Sequence, residues 1–191
     1  MANWASVIYK AVGEKDDLQR IYEILTDLQT TKEQLCDNDF GNMWLGNLLV
    51  KLGFDWQNKK CRGYVSSFSL DDFSLDIFME TAWGEQCDVR YAIMEAFPGT
   101  HVYFMEEELG CGVCYTNDKN HEYFEDRYIV TGEEIDTEYF SDIELAAQYI
   151  SSVTGISPIE PTLEAVQEAI NEYTDRTDEC LNIYEFEYTE D

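Results

Sequence analysis

The chain has 191 residues and a formal net charge of -28 at pH 7, with 45% hydrophobic and 14% aromatic residues. That apolar share can fill a packed core and excludes a disordered chain. The charge excludes a surface that holds nucleic-acid phosphates or anionic membranes directly, and favours basic partners.

The charge is uneven. Residues 1–60 carry nine acids against seven bases, residues 61–100 seven against two, and residues 101–191 twenty-four against three. No basic segment followed by an apolar one opens the sequence, and no run of about 18 apolar residues exists. The expectation is a cytoplasmic protein with no signal peptide and no membrane span. The six cysteines are then expected to be reduced rather than bridged.

In chain order, Ala5–Val12 alternates as a strand, with Val7 and Tyr9 on one face and Ile8 and Lys10 on the other. Asp16 or Asp17 is placed to cap the helix that follows, Asp17–Gln29, whose stripe is Leu18, Ile21, Leu25 and Leu28. Asn42–Leu52 carries Trp44, Leu45, Leu48, Leu49 and Leu52 at helical spacing, ended by Gly53. It reads as a helical insert within residues 31–62. Asp55–Arg62 holds three bases and reads as an exposed loop.

Tyr64–Leu70 and Ser74–Thr81 are expected strands, joined as a hairpin at Asp71-Asp72. In the second, Leu75, Ile77, Met79 and Thr81 share one face. Glu85–Phe97 has an apolar stripe of Val89, Ala92, Ile93, Ala96 and Phe97, ended by Pro98, with Gly99 expected at positive φ. His101–Glu106 is the next strand, with Val102 and Phe104 on one face. Cys111–Thr116 and Tyr123–Thr131 read as two more strands, joined by the polar loop Asn117–Glu122.

Ser141 with Glu144 has the capping-box spacing and opens a helix stopped at Gly155. A last helix carries Leu163, Val166, Ile170 and Tyr173. Ile183–Tyr188 is a final strand with Tyr184, Phe186 and Tyr188 on one face.

The order strand, helix, insert, strand, strand, helix, strand is that of the ferredoxin-like, split βαβ arrangement. The expected fold is therefore α+β, with the helices on one face of the sheet and an extended C-terminal α/β addition. The expected division is a core at 1–131, with the insert at 31–62, and an acidic extension at 132–191 packed on it. Trp83, Phe97, Ile93 and Leu25 are expected in the core.

Asn3-Trp4 opening the first strand, Glu80-Thr-Ala-Trp83 leading into a helix, Phe97-Pro98 closing it, and Tyr103-Phe-Met-Glu106 before Gly110 form a set. That set resembles the YubB-like, ferredoxin-like domain family of plasmid- and phage-borne bacterial proteins. It covers the first strand and Tyr64 to Thr131. The family continues with Cys after Asn-Trp, where this chain has Ala5. The resemblance implies a ferredoxin-like fold and a bacterial mobile-element setting, and implies no activity.

No catalytic or cofactor signature stands above its structural reading. Cys111-Gly-Val-Cys114 has metal-ligand spacing, but a second Cys-x-x-Cys is absent, and in a strand the two thiols face opposite ways. No helix starts after it, as a redox pair would need. His101 and His121 are the only histidines. Asp37-Asn-Asp39-Phe-Gly41 places its glycine one position early for a calcium loop. Gly110-x-Gly112 lacks the third glycine of a dinucleotide loop. Glu106, Glu107, Glu108, Glu133, Glu134, Asp136 and Glu138 are the candidate binding residues, read as a solvated acidic patch. The expected function is a non-catalytic, cofactor-free protein-interaction module with a basic protein partner. The alternatives are a nucleic-acid mimic that blocks a DNA-binding host defence protein and, last, a carboxylate-dependent hydrolase.

Overall fold

The computed structural model describes residues 3–32 and 35–190. The chain is of α+β class and divides into two compact units. Unit 1 is Met1–Asn117 with Thr189–Asp191; unit 2 is Asp118–Tyr188. The boundary expected after residue 131 falls inside a strand of unit 2.

In unit 1 the order is β1 (Trp4–Gly13), α1 (Lys15–Thr30), α2 (Leu45–Lys51), β2 (Gly63–Leu70), β3 (Ser74–Ala82), α3 (Cys87–Ala96), β4 (Thr100–Glu108) and β5 (Val113–Thr116). The strands lie in the order β2-β3-β1-β4-β5, and each of these neighbouring pairs is antiparallel. β1 is central: Tyr9 sits opposite Ile77 on one side and Phe104 on the other. Since β3 and β4 both run antiparallel to β1, they are parallel to one another, with β1 between them. The helix joining them crosses over that strand.

The period-2 pattern of β1 is obeyed strictly. Ala5, Val7, Tyr9 and Ala11 have no exposed surface, while their neighbours face outward or are half-buried. The α1 stripe of Leu18, Ile21, Leu25 and Leu28 and the α3 residues Val89, Ala92 and Ile93 join the same core. Each Leu, Ile or Val among them contributes about 1.5–3 kcal/mol through burial. Phe97 is half-buried against this core. Trp83 is not in it: the ring is 67% exposed.

Local entries differ from the sequence reading. α1 begins at Lys15 with Glu14 before it, so Asp16 and Asp17 lie inside the first turn, where they favour the positive dipole end without capping it. α2 is shorter than expected because Asn42 and Asn47 are spent on loop carbonyls: Asn42 donates to Thr31 O at 2.6 Å, and Asn47 to Asn42 O at 3.0 Å. Asp71 closes the β2–β3 turn by accepting from the backbone N–H of Phe73 and of Ser74, both at 2.7 Å. Gly99 is not among the residues at positive φ.

In unit 2, β6 (Tyr128–Gly132) pairs with β7 (Glu138–Phe140) and β8 (Leu181–Glu185), and α4 (Ile143–Thr154) and α5 (Leu163–Thr177) complete the core. Val130, Ala146, Ile150, Val166, Ile170 and Ile183 are buried there. The expected strand Tyr123–Thr131 starts only at Tyr128, because Asp118 takes the backbone N–H groups of Glu122, Tyr123 and Phe124 into a turn. α4 is capped by Asp142, one residue after the expected Ser141, through Leu145 N at 2.8 Å. The buried face of β8 is Leu181 and Ile183 rather than the tyrosine side.

Candidate functional site

The expected acidic residues separate by surroundings. Glu133, Glu134 and Asp136 are exposed in the connection between β6 and β7 of unit 2, and Glu138 is exposed at the start of β7. On β4 of unit 1, Glu107 and Glu108 are half-buried, and Glu106 is only 8% exposed. Glu106 follows Val102 and Phe104 at period 2, so its side chain points to the core side of the sheet. It does not belong to a solvated edge.

Glu106 instead helps hold the turn between β3 and α3. The backbone N–H of Glu85 donates to the Glu106 carboxylate. The Gly84 carbonyl accepts from Thr81 Oγ1 at 2.8 Å and from Gln86 Nε2 at 2.9 Å. Gln86 also accepts from Arg62 N at 3.0 Å, and Ala82 N donates to Arg62 O at 2.9 Å. Within this clamp Trp83 takes φ 70° and Gly84 φ 113°. A Cβ at residue 84 would stand 3.0 Å from Glu106 Oε2, so glycine is needed there twice over. A left-handed tryptophan is costly and persists only because the surroundings over-determine it, which is the pattern of a functional turn.

Behind the turn lies a buried charge network. Arg90 on α3 is 2% exposed and donates from Nε to Glu85 Oε1 at 3.0 Å. Its guanidinium lies 4.9 Å from the Phe104 ring centroid and 4.8 Å from that of Tyr91. Tyr9, fully buried on β1, donates its hydroxyl to the same Glu85 carboxylate. Burial first, and the Glu85 charge second, push the Tyr9 phenol well above its ordinary range, so it serves as a donor. Burial also raises Glu106, with the Glu85 charge adding and the Glu85 N–H opposing.

Two concavities flank this turn, and Trp83 and Glu85 line both. One, of about 320 Å³, includes Arg90, Tyr91, Phe104, Glu106 and Tyr115. The other, of about 620 Å³, is walled by Phe40, Trp44, Trp56 and Trp83 and bordered by Lys59, Lys60 and Arg62. Gly46 makes room for one wall: the Trp44 ring comes within 2.4 Å of where a Cβ would stand. The Trp44 and Trp56 rings meet edge to face with centroids 4.9 Å apart.

No local sequence pattern announces this arrangement. Its signals are Arg90 standing among the apolar α3 positions Val89 and Ile93, and the three bases Lys59, Lys60 and Arg62 following Trp56 within six residues. The remaining motifs stay apart. Cys111 is exposed in a 3-10 turn and Cys114 is buried on β5. The Glu108 carboxylate, through a hydrogen bond, raises the Cys111 thiol, the opposite of a reactive thiolate. All six cysteines are free, and no helix among the described residues is long and apolar enough to cross a membrane.

No family model matches the chain, and no curated protein matches it. Among solved structures, the chain is similar to the crystal structure of an unknown protein from Galdieria sulphuraria at 9% identity, covering 96% of this chain and 98% of that one. The TM-score of 0.27 is too low for that likeness to carry an argument about fold or function.

Proposed function

We propose that this chain is a non-catalytic interaction module that docks a basic protein through the acidic surface of unit 2. The observation that carries this reading is the outer face of α5. Glu164, Glu168 and Glu172 stand four residues apart, followed by Asp175, and all four are exposed. Like charges at i,i+4 weaken a helix. One intrahelical partner, Arg176 on Glu172, offsets a single member of the stripe. A surface that costs the helix stability is accounted for by a cationic partner. Of the nineteen acids in unit 2, fourteen are exposed, against three basic residues.

A nucleic-acid mimic is the second form of the same reading. The α5 acids repeat about every 6 Å along the helix, whereas duplex DNA carries one charge per roughly 1.7 Å of axis. One stripe alone therefore falls well short of a duplex, and this favours a basic protein patch over a DNA-binding cleft. The hydrolase alternative ranks last: in the Glu85–Glu106 pair, one carboxylate is held by Arg90 and Tyr9 and the other by a backbone N–H.

For unit 1 the reading is the ferredoxin-like, split βαβ arrangement, supported by the strand order β2-β3-β1-β4 and by helices that share one core. The mobile-element setting and the YubB-like kinship rest on the Asn3-Trp4 and Glu80–Trp83 motifs. A cytoplasmic location is supported by the free cysteines.

The test is a pull-down from bacterial lysate with the full chain and with a Glu164→Lys/Glu168→Lys/Glu172→Lys variant. The reading expects a basic protein held by the unaltered chain at low salt, released at high salt and missing from the variant. Displacement of that protein by duplex DNA would identify the mimic form. The same proteins on both baits would overturn the reading.

A further inference from the structure

We propose that the aromatic cavity of unit 1 binds a small planar anion of the mononucleotide class, an aromatic base carrying phosphate. The inference stands on residues of unit 1 alone and does not depend on the acidic surface of unit 2.

The first support is shape and lining. About 620 Å³ lies in the range of sites that enclose small molecules. Phe40, Trp44, Trp56 and Trp83 line it, and these hold three of the four tryptophans in the chain. Aromatic walls accept any flat π-face, and base stacking on them tolerates any base. Trp83 is left 67% exposed at a strained φ of 70°, an arrangement that a purely structural tryptophan does not need.

The second support is charge. The chain has 12 basic residues among 191, yet Lys59, Lys60 and Arg62 gather at this one cavity. Lys59 stands 4.0 Å from Asp88 and over the Phe54 ring. Lys60 and Arg62 are exposed, and no ion pair holds either side chain among the described residues. The Arg62 backbone is pinned on both sides, by Gln86 and by Ala82, so the guanidinium starts from a fixed point. A guanidinium fork beside an ammonium is a phosphate-binding pair. The acids on the same wall are Asp39 and Glu85, and Glu85 is already engaged by Arg90 and Tyr9.

Each simpler ligand leaves part of the lining unexplained. An apolar molecule gives Lys60 and Arg62 nothing to neutralise. Inorganic phosphate gives the partly exposed rings of Phe40, Trp56 and Trp83 nothing to stack on. A polyanion meets the field of a chain with net charge -28.

The experiment is titration of the full chain with AMP, GMP, CMP and UMP, followed by tryptophan fluorescence and by calorimetry. Adenosine and inorganic phosphate serve as the two halves. At least one mononucleotide is expected to quench the fluorescence saturably and to bind at least about tenfold tighter than either half. A Lys60→Glu/Arg62→Glu variant should lose that binding while keeping its urea midpoint, because both side chains are exposed. Trp83→Gly, which suits the backbone at that position, should weaken it by about tenfold. The proposal is overturned if no mononucleotide gives saturable binding or if phosphate alone binds as tightly. Unchanged binding in the double variant, or a tighter fit to a single-stranded decamer than to any mononucleotide, overturns it equally.

Discussion

Replacing Arg90 by Met tests the buried network most directly. Arg90 is 2% exposed and Glu85 8% at the side chain, so the pair is shielded from water on both sides. Met keeps the length and apolar stem but removes the charge. Glu85 then keeps the Tyr9 hydroxyl, a neutral donor, but loses the guanidinium that faces its charge. Removing one partner of such a pair costs about 3–5 kcal/mol, because the other ion is left uncompensated. Loss of the guanidinium contacts with Phe104 and Tyr91 adds to this. With a urea slope of about 2 kcal/mol/M, the midpoint should fall by roughly 1.5–2.5 M. All four tryptophans lie in unit 1, so tryptophan fluorescence reads that unit without unit 2. Adding Glu85→Leu to Arg90→Met should restore much of the loss, since an apolar replacement of both partners is nearly neutral. A midpoint within about 0.3 M of the unaltered protein, or a double variant worse than the single one, would refute the account of Arg90 as the counter-charge.

Three further outcomes follow from the same structure. Ile93 has no exposed surface, so Ile93→Ala should cost about 2–5 kcal/mol in the same urea titration; an unmoved midpoint would mean the α3 stripe does not carry the core. Glu106 has its pKa raised on folding, so its ionised form is a liability: its contribution to stability falls as pH rises from the unfolded value of about 4.3 through the raised folded value. Urea midpoints of Glu106→Gln and the unaltered chain should therefore draw apart in favour of Gln as pH rises through that window, and a pH-independent gap would contradict this. Trp83→Gly should hold or raise stability by about 1 kcal/mol, because glycine relieves the left-handed backbone; a loss larger than that would make the ring a packing element.

The sequence made unit 1 legible where one period ran unbroken. In β1 and in α1 each apolar residue has one face to choose, and the choice follows from period 2 or 3.6 alone. Boundaries were lost where side chains competed for backbone groups: Asn47 shortens α2, Asp118 delays β6, and Asp142 displaces Ser141 as a cap. β7 is three residues long and two of them are exposed, so it has no apolar pattern to read. Hydrophobicity alone puts Trp83 in the core. Its exposure depends on the clamp that Thr81, Gln86 and Glu106 place on residues 84 and 85, which joins three elements and has no local signature. The inward turn of Glu106 is hidden for a related reason. In a run of three acids, only the register of β4 against β1 tells which one turns inward.

That register also bears on how a chain of net charge -28 can hold an anion at all. At physiological ionic strength the Debye length is about 8 Å, so an exposed charge well beyond that distance contributes little at Lys60 and Arg62. What matters is the local balance, and there Asp39 is exposed on the cavity wall while the other nearby acids are engaged. Glu85 is bound by Arg90 and Tyr9, Asp88 faces Lys59 and accepts from Lys60 N, and Glu106 is occupied by Glu85 N. A mononucleotide fits within one Debye length and meets mainly Lys60 and Arg62, whose side chains no ion pair holds among the described residues. A decamer of single strand extends roughly 30 Å, several Debye lengths, and most of its phosphates fall outside that patch. Affinity should therefore fall as the ligand lengthens from one nucleotide to ten. Added NaCl should weaken the mononucleotide by screening its attraction, and should weaken the decamer less because it also screens the repulsion. Equal salt slopes for the two, measured by fluorescence titration, would show that the site feels the whole charge of the chain rather than its own surroundings.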